Sequence, residues 1–279
     1  MSGARIEVMD REGVRLALEW ARAEGWQPGQ GDATPFFAAD PEGFFRSRVD
    51  GQTVATLSAV RGSDSLAFVG LYIVEPGHRG IGIGKALWED VLARYQGFTL
   101  GLDAVPAQIS AYESAGFAIS HVNARYSSGD LPAPDGRIEV GRAADLDLDE
   151  LTAYDGRHFF GPRPDFLRHW IAGEDRDAVV TTSDGEITGF AASRRADPGH
   201  RIGPVFADDP EIARELILEL AAGVDGPVAI DLPEANLAGV ELVGSLGMER
   251  SFETTRMYRG PAPSLPLDRI YGITTIELG

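Results

Sequence analysis

The stretch Gly70-Leu71-Tyr72-Ile73-Val74-Glu75-Pro76-Gly77-His78-Arg79-Gly80-Ile81-Gly82-Ile83-Gly84-Lys85-Ala86-Leu87 passes from an apolar strand through a proline stop and a glycine-rich turn into the start of a helix. Such an arrangement aims successive backbone N–H groups, backed by the positive end of a helix, at an anion such as a pyrophosphate. Glycine permits the close approach. A Walker A loop would need glycine where Arg79 stands and Ser or Thr where Ala86 stands. A dinucleotide fingerprint would need a third glycine at Leu87. Neither fits.

Outward from this stretch, hydrophobic periodicity and turn residues predict a strand at Arg5 to Met9, a helix at Arg11 to Glu24, and strands at Phe44 to Val49, Gln52 to Val60 and Ser65 to Val74. A helix from about Gly82 to Tyr95, a strand from Phe98 to Asp103, a helix from Pro106 to Ala115 and a strand from Phe117 to Tyr126 follow. Hairpin-connected strands flanked by helical crossovers make a mixed α/β sheet.

Arg79-x-x-Gly82-x-Gly84 after Val74-x-Pro76, followed by Leu102-Asp103 and then Tyr112-Glu113-Ser114-Ala115-Gly116-Phe117, resembles the GNAT superfamily of N-acetyltransferases, with its R/Q-x-x-G-x-G/A signature and Tyr-x-x-x-Gly-Phe close. The resemblance covers about residues 5 to 127 and implies acetyl-CoA as acyl donor. It places the pantetheine arm beside the strand at Leu71, Ile73 and Val74, and the pyrophosphate on the loop Arg79 to Gly84, with His78 and Lys85 as flanking cofactor contacts. It also implies that a strand N–H polarises the thioester carbonyl and that Tyr112 protonates the departing thiolate. A tyrosine merely packed on the sheet is the alternative for Tyr112. Many family members carry asparagine where this chain has Val105, so that contact is lost or remade, with Gln108 a candidate.

An alkyl amine must shed a proton before attack. Asp103, at the carboxyl end of its strand, is the candidate base, or else a cap for the helix near Pro106.

The chain also repeats itself. Arg5-Ile6-Glu7-Val8 returns as Arg137-Ile138-Glu139-Val140, the hairpin turn Asp50-Gly51 as Asp184-Gly185, Ser114-Ala115-Gly116-Phe117 as Ser245-Leu246-Gly247-Met248, and Asn123-Ala124-Arg125-Tyr126 as Thr254-Thr255-Arg256-Met257. The expected fold is therefore α/β, as two tandem GNAT-like domains, each a mixed, mostly antiparallel sheet flanked by helices. Residues 1–128 form the cofactor-binding domain and 137–279 a degenerate copy, joined by a Ser-, Gly- and Pro-rich linker at about 128–136. In the copy, Ala207-Asp208-Asp209-Pro210-Glu211 replaces the glycine loop with acids that repel a pyrophosphate, and Val243 stands where Tyr112 would. The arrangement is similar to tandem GNAT proteins of the YitH-like kind.

Trp26, Asp32 and Phe36 follow the first helix, a region that borders the acceptor in GNAT folds, and Tyr154, Asp155 and His158 occupy the corresponding stretch of the copy. They read either as an aromatic, acidic pocket for a cationic amine or as a cap and core. Arg163 and Arg168 could instead select a carboxylate.

In the 279 residues there is no cysteine, and five separated histidines give no recognisable zinc spacing, so no metal is expected. A formal charge of −18 argues against nucleic acid and acidic membranes as partners. Neither a long apolar run nor an N-terminal signal region is present, which leads to the expectation of a cytoplasmic protein. The expected activity is acetylation of a small-molecule primary amine by direct transfer, against a non-catalytic acyl-CoA sensor or a protein-lysine acetyltransferase. Homodimerisation is expected, if at all, through a final strand, Asp268 to Leu278, at a sheet edge.

Overall fold

Each half turns its central hairpin on an Asp-Gly pair, and both pairs take the left-handed conformation that a tight two-residue turn demands. Asp50 and Gly51 lie at φ 48° and 81°, Asp184 and Gly185 at 51° and 83°. The computed structural model describes residues 4–173 and 175–279. The first half runs β1 (Arg5–Val8), α1 (Arg11–Ala23), α2 (Ala33–Ala39), β2 (Phe44–Val49), β3 (Gln52–Arg61), β4 (Leu66–Val74), α3 (Ile83–Arg94), β5 (Thr99–Ala104), α4 (Ile109–Ser114) and β6 (Ala118–Ser128). The second runs β7 (Gly141–Arg142), α5 (Leu148–Gly156), α6 (Pro164–Trp170), β8 (Arg176–Ser183), β9 (Glu186–Arg195), β10 (His200–Ala207), α7 (Pro210–Ala222), β11 (Val228–Pro233), α8 (Leu237–Ser245), β12 (Glu249–Arg259) and β13 (Ile270–Gly272).

One expectation needs correction, and one repeat of sequence is not a repeat of structure. The helix expected from Pro106 opens as a 3-10 turn, Pro106–Gln108, before α4 begins at Ile109. The repeated Arg137-Ile138-Glu139-Val140 is not a strand; β7 comprises only Gly141 and Arg142.

All strands join one sheet in the order β1-β2-β3-β4-β5-β12-β6-β11-β10-β9-β8-β7, with β13 pairing β10 off this path. The order reveals an exchange. β12, from the second half, lies between β5 and β6 of the first, while β6 lies between β11 and β12 of the second. Reciprocal ion pairs pin the exchanged strands. Arg256 on β12 donates to both carboxylate oxygens of Asp103 on β5, from Nε at 2.7 Å and Nη2 at 2.8 Å. Arg125 on β6 donates to Asp231 on β11, from Nε at 2.9 Å and Nη2 at 3.3 Å. The arginines are the repeat partners already visible in the sequence.

One face of the sheet carries an apolar core shared by both halves: Val14 and Leu18 of α1 and Phe36 of α2 pack with Tyr154 of α5 and Phe166 and Trp170 of α6. The opposite face carries separate cores under α3 and under α7 with α8.

The tail is not an exposed edge. Residues 270–279 are buried throughout. β13 runs antiparallel to β10, pairing Gly272 with Val205, and the Ile273 N–H donates to the Asp231 carbonyl at 2.9 Å. The dimer route through this segment is therefore closed.

Candidate active site

β4 and β5 run parallel only from Leu66 with Thr99 to Val69 with Leu102, then part. Beyond that point Gly70 to Val74 offer an edge with no β5 partner, facing a cleft of about 340 Å³. A bulge sits on this edge. Thr56 of β3 pairs with Ile73 and Ser58 with Gly70, which leaves Leu71 and Tyr72 without a register partner on β3. Leu71 takes φ 46°, a strained value for a branched residue, and the buried Thr56 hydroxyl donates to its carbonyl at 2.8 Å. Backbone strain of this kind clusters where main-chain groups are re-aimed for function.

At one end of the cleft lies the glycine turn. Gly80 and Gly82 take φ 77° and 90°, and Gly82 precedes α3 with no side-chain cap on the helix. Its first amides are therefore free to meet an anion. Gly84 serves packing instead: a Cβ there would sit 2.6 Å from Val74 Cγ2 and 2.9 Å from the Tyr72 hydroxyl. Arg79 donates from Nε to the Val74 carbonyl at 2.8 Å and pairs with Glu24 at the end of α1. His78 Nδ1 lies 2.6 Å from Glu75, and Lys85 lies exposed, 3.7 Å from Glu89.

Tyr112 borders the cleft, its ring against Trp88 and Phe117. Burial, and secondarily Tyr72, pushes its hydroxyl up to about 12, so it stays protonated at neutral pH and can donate to an anion.

Of the residues expected in the site, Leu71, Ile73, Val74, Arg79, Gln108, Tyr112 and Trp26 line the cleft, while Gly80 to Lys85 form the adjoining turn and helix start. Asp103 borders it differently. Its side chain is fully buried by Arg256 and also accepts from Asn123 Nδ2 at 3.0 Å, so only its main chain meets the cleft. Burial raises this carboxyl, with Arg256 pulling the other way. Protonating it would break a buried bidentate pair, and Asp231 holds the same kind of pair in the other half. Neither the base nor the cap expected of Asp103 is realised, since the Pro106 turn has no side-chain cap.

The other acceptor candidates lie elsewhere. Asp32 ties the halves together: it accepts from Arg176 Nη2 at 2.6 Å, Arg194 Nε at 3.2 Å and the Gly29 N–H at 2.8 Å, leaving no side-chain cap on α2. Phe36 and Tyr154 are core. Asp155 accepts a bidentate pair from Arg163 at 2.8 Å each, and His158 Nδ1 lies 3.0 Å from the Tyr154 carbonyl. Arg163 is thereby neutralised, and Arg168 is exposed on α6, off the cleft.

Missed by the sequence reading were Glu24, Tyr72, Thr254 and Ile276. Tyr72 stood inside the quoted stretch, but strand alternation puts it opposite Leu71 and Ile73, and only the bulge brings all three to the cleft. Thr254 and Ile276 come from the second half and carry no local signal.

The second half has lost the same features one by one. Asp209 caps α7 with its own carboxylate, accepting from the Glu211 and Ile212 amides at 2.9 Å each, which occupies the anion position. After Ile202 and Ile230 part, Gly203-Pro204 takes the place of Gly70-Leu71, and proline has no N–H to offer. β13 then fills the gap between β10 and β11.

A family model described as "Acetyltransferase (GNAT) family" matches residues 12–117, and one described as "Acetyltransferase (GNAT) domain" matches residues 151–272. The chain is 34% identical to Holothin acyltransferase of Pseudoalteromonas sp. (strain SANK 73390) over 95% of this chain and 91% of that one. It is 24% identical to Uncharacterized N-acetyltransferase YitH of Bacillus subtilis (strain 168), over 77% of each chain. In fold it is similar to a Pyrococcus horikoshii structure described as that of an acetyltransferase, with a TM-score of 0.83, 19% identity, and 100% of this chain and 97% of that one covered. It is also similar to a tandem GNAT protein from the clavulanic acid biosynthesis pathway, with a TM-score of 0.62, 18% identity, and 94% and 100% covered. With GNAT domains matched in both halves around a cleft that only the first half keeps open, the chain belongs to the GNAT family and is an N-acetyltransferase.

Proposed function

We propose that this enzyme uses acetyl-CoA to acylate the primary amine of a small molecule by direct transfer in the first-half cleft, with Tyr112 as general acid. The observation that carries the reading is the conjunction of an unpaired β4 edge, an uncapped α3 N-terminus at one end of it, and a protonated tyrosine on the wall between. These residues fit the cofactor that the family generally uses. When bound, it supplies a thioester whose carbonyl carbon is open to an amine. The amides of Gly80 to Gly84 hold its phosphates, and the edge from Gly70 to Val74 aligns its arm. In this reading an N–H of the re-aimed backbone at Leu71 and Tyr72 meets the negative charge that grows on the carbonyl oxygen. Tyr112 delivers a proton to sulfur as the carbon–sulfur bond breaks. The name of the Pseudoalteromonas relative supports acyl transfer to a named compound.

The test is thioester consumption over a panel of amines. Tyr112→Phe, which removes only the hydroxyl, is expected to lower kcat by about 10²–10⁴-fold with acetyl-CoA affinity unchanged. Unchanged kcat refutes the acid role, and binding without turnover of any amine marks a sensor instead.

A further inference from the structure

We infer that the acceptor is a planar, weakly basic amine that arrives uncharged, of the aryl or heteroaryl kind, and not an alkylammonium ion. The inference rests on the acyltransferase reading above and names the acceptor class for that same cleft.

Among the described residues, two acids border the cleft, Asp103 and Glu24. Asp103 turns its carboxylate away to Arg256, 2.7 and 2.8 Å off, and shows the cleft only its main chain. Glu24 pairs with Arg79 beside the Val74 carbonyl, at the glycine-turn end of the edge. The apolar walls include Trp26, Val69, Leu102 and Ile276, and the remaining polar side chains, those of Tyr72, Gln108, Tyr112 and Thr254, are neutral. The carboxylates expected to draw in a cation, Asp32 and Asp155, are held by arginines outside the cleft. This chain is strongly acidic, yet apart from the Glu24–Arg79 pair and Asp103, which is turned to Arg256, the side chains that line its cleft are neutral.

An alkylammonium ion entering this chamber would have to surrender its solvation without a counter-ion and then lose a proton without a base. An aryl amine carries no charge at neutral pH and needs neither. The half-buried Trp26 on the cleft wall is an aromatic partner for such a ring. Protons balance without a separate base. The amine nitrogen bonds to the acyl carbon, the carbon–sulfur bond breaks, the Tyr112 hydroxyl gives its proton to sulfur, and the proton shed by nitrogen returns to Tyr112. The products are the amide and the free thiol.

The experiment measures acetyl-CoA consumption with aniline and aminothiazole against benzylamine and phenylethylamine, from about pH 6 to about pH 8.5. The aryl series is expected to be consumed at least tenfold faster, with kcat/KM flat over this range, whereas an alkyl amine of pKa near 10 would gain about tenfold per pH unit. Trp26→Ala should raise KM for the aryl amines about tenfold, the equivalent of about 1.4 kcal/mol, and leave KM for acetyl-CoA unchanged. Glu24→Gln should leave the aryl pH profile flat. Faster turnover of the alkyl series overturns the acceptor class while leaving the acyltransferase reading intact. Bound acetyl-CoA with no turnover of either series overturns both.

Discussion

Replacing Arg256 by methionine should damage both halves at once, because its side chain is 2% exposed and holds the wholly buried carboxylate of Asp103 across the exchanged strands. Removing one partner of a buried pair costs about 3–5 kcal/mol, since the other is left charged and unsolvated. At roughly 2–4 °C per kcal/mol for domains of comparable size, melting should fall by about 6–20 °C. The loss should depend on pH. Burial raises Asp103 above its unfolded value, and deleting Arg256 removes the charge that opposes this. A carboxyl with a raised folded pKa contributes stability below its unfolded pKa and loses it as pH rises through the folded one. The Arg256→Met deficit should therefore be smallest near about pH 4 and full at neutral pH. The double variant Asp103→Leu/Arg256→Met replaces the pair with apolar groups and should recover most of the loss, because such replacements are often neutral. Urea denaturation of the wild type, both single variants and the double variant closes the cycle. Additive losses in the double variant, or an Arg256→Met deficit below about 1 kcal/mol, would refute the pinning role.

Other consequences follow from single residues. Gly82→Ala meets nothing within 4 Å but must hold φ 90°, so its cost of about 1–2 kcal/mol should appear as roughly tenfold weaker coenzyme A binding by calorimetry; unchanged affinity would remove the turn from the phosphate site. Glu277 is buried with Oε1 unpartnered, and burial, opposed first by Arg194, pushes it up to about 7 from 4.5. Its folded pKa lies above the unfolded one, so its contribution is present below about pH 4.5 and lost as pH rises through about 7; Glu277→Gln should flatten that fall in urea midpoints, and an unaltered slope would contradict it.

The first half was legible because its signals are local. Alternation, Asp-Gly turns and the proline stop before the glycine loop fix strand ends that the fold reproduces closely. The seven-residue α2 carries Pro35 and two aromatics with no helical period, and it went unseen. The exchange of β6 and β12 depends on partners more than a hundred residues apart, which no window of sequence contains. That same distance misled the reading of Asp103: a carboxylate at a strand end looks reactive until Arg256, from the other half, closes over it. Asp32 failed likewise, claimed by Arg176 and Arg194 from the other half, whereas Asp155 is taken by Arg163, only eight residues further on. Tyr112 and the glycine turn needed only neighbours along the chain to reach the cleft.

The most direct test of the account is the number and place of coenzyme A molecules bound per chain, by titration calorimetry and a crystal structure of the complex. One molecule is predicted, with its phosphates on the Gly80 to Gly84 amides and its arm along Gly70 to Val74. Two molecules per chain, or one at the Asp209-capped start of α7 with β13 displaced, would contradict it.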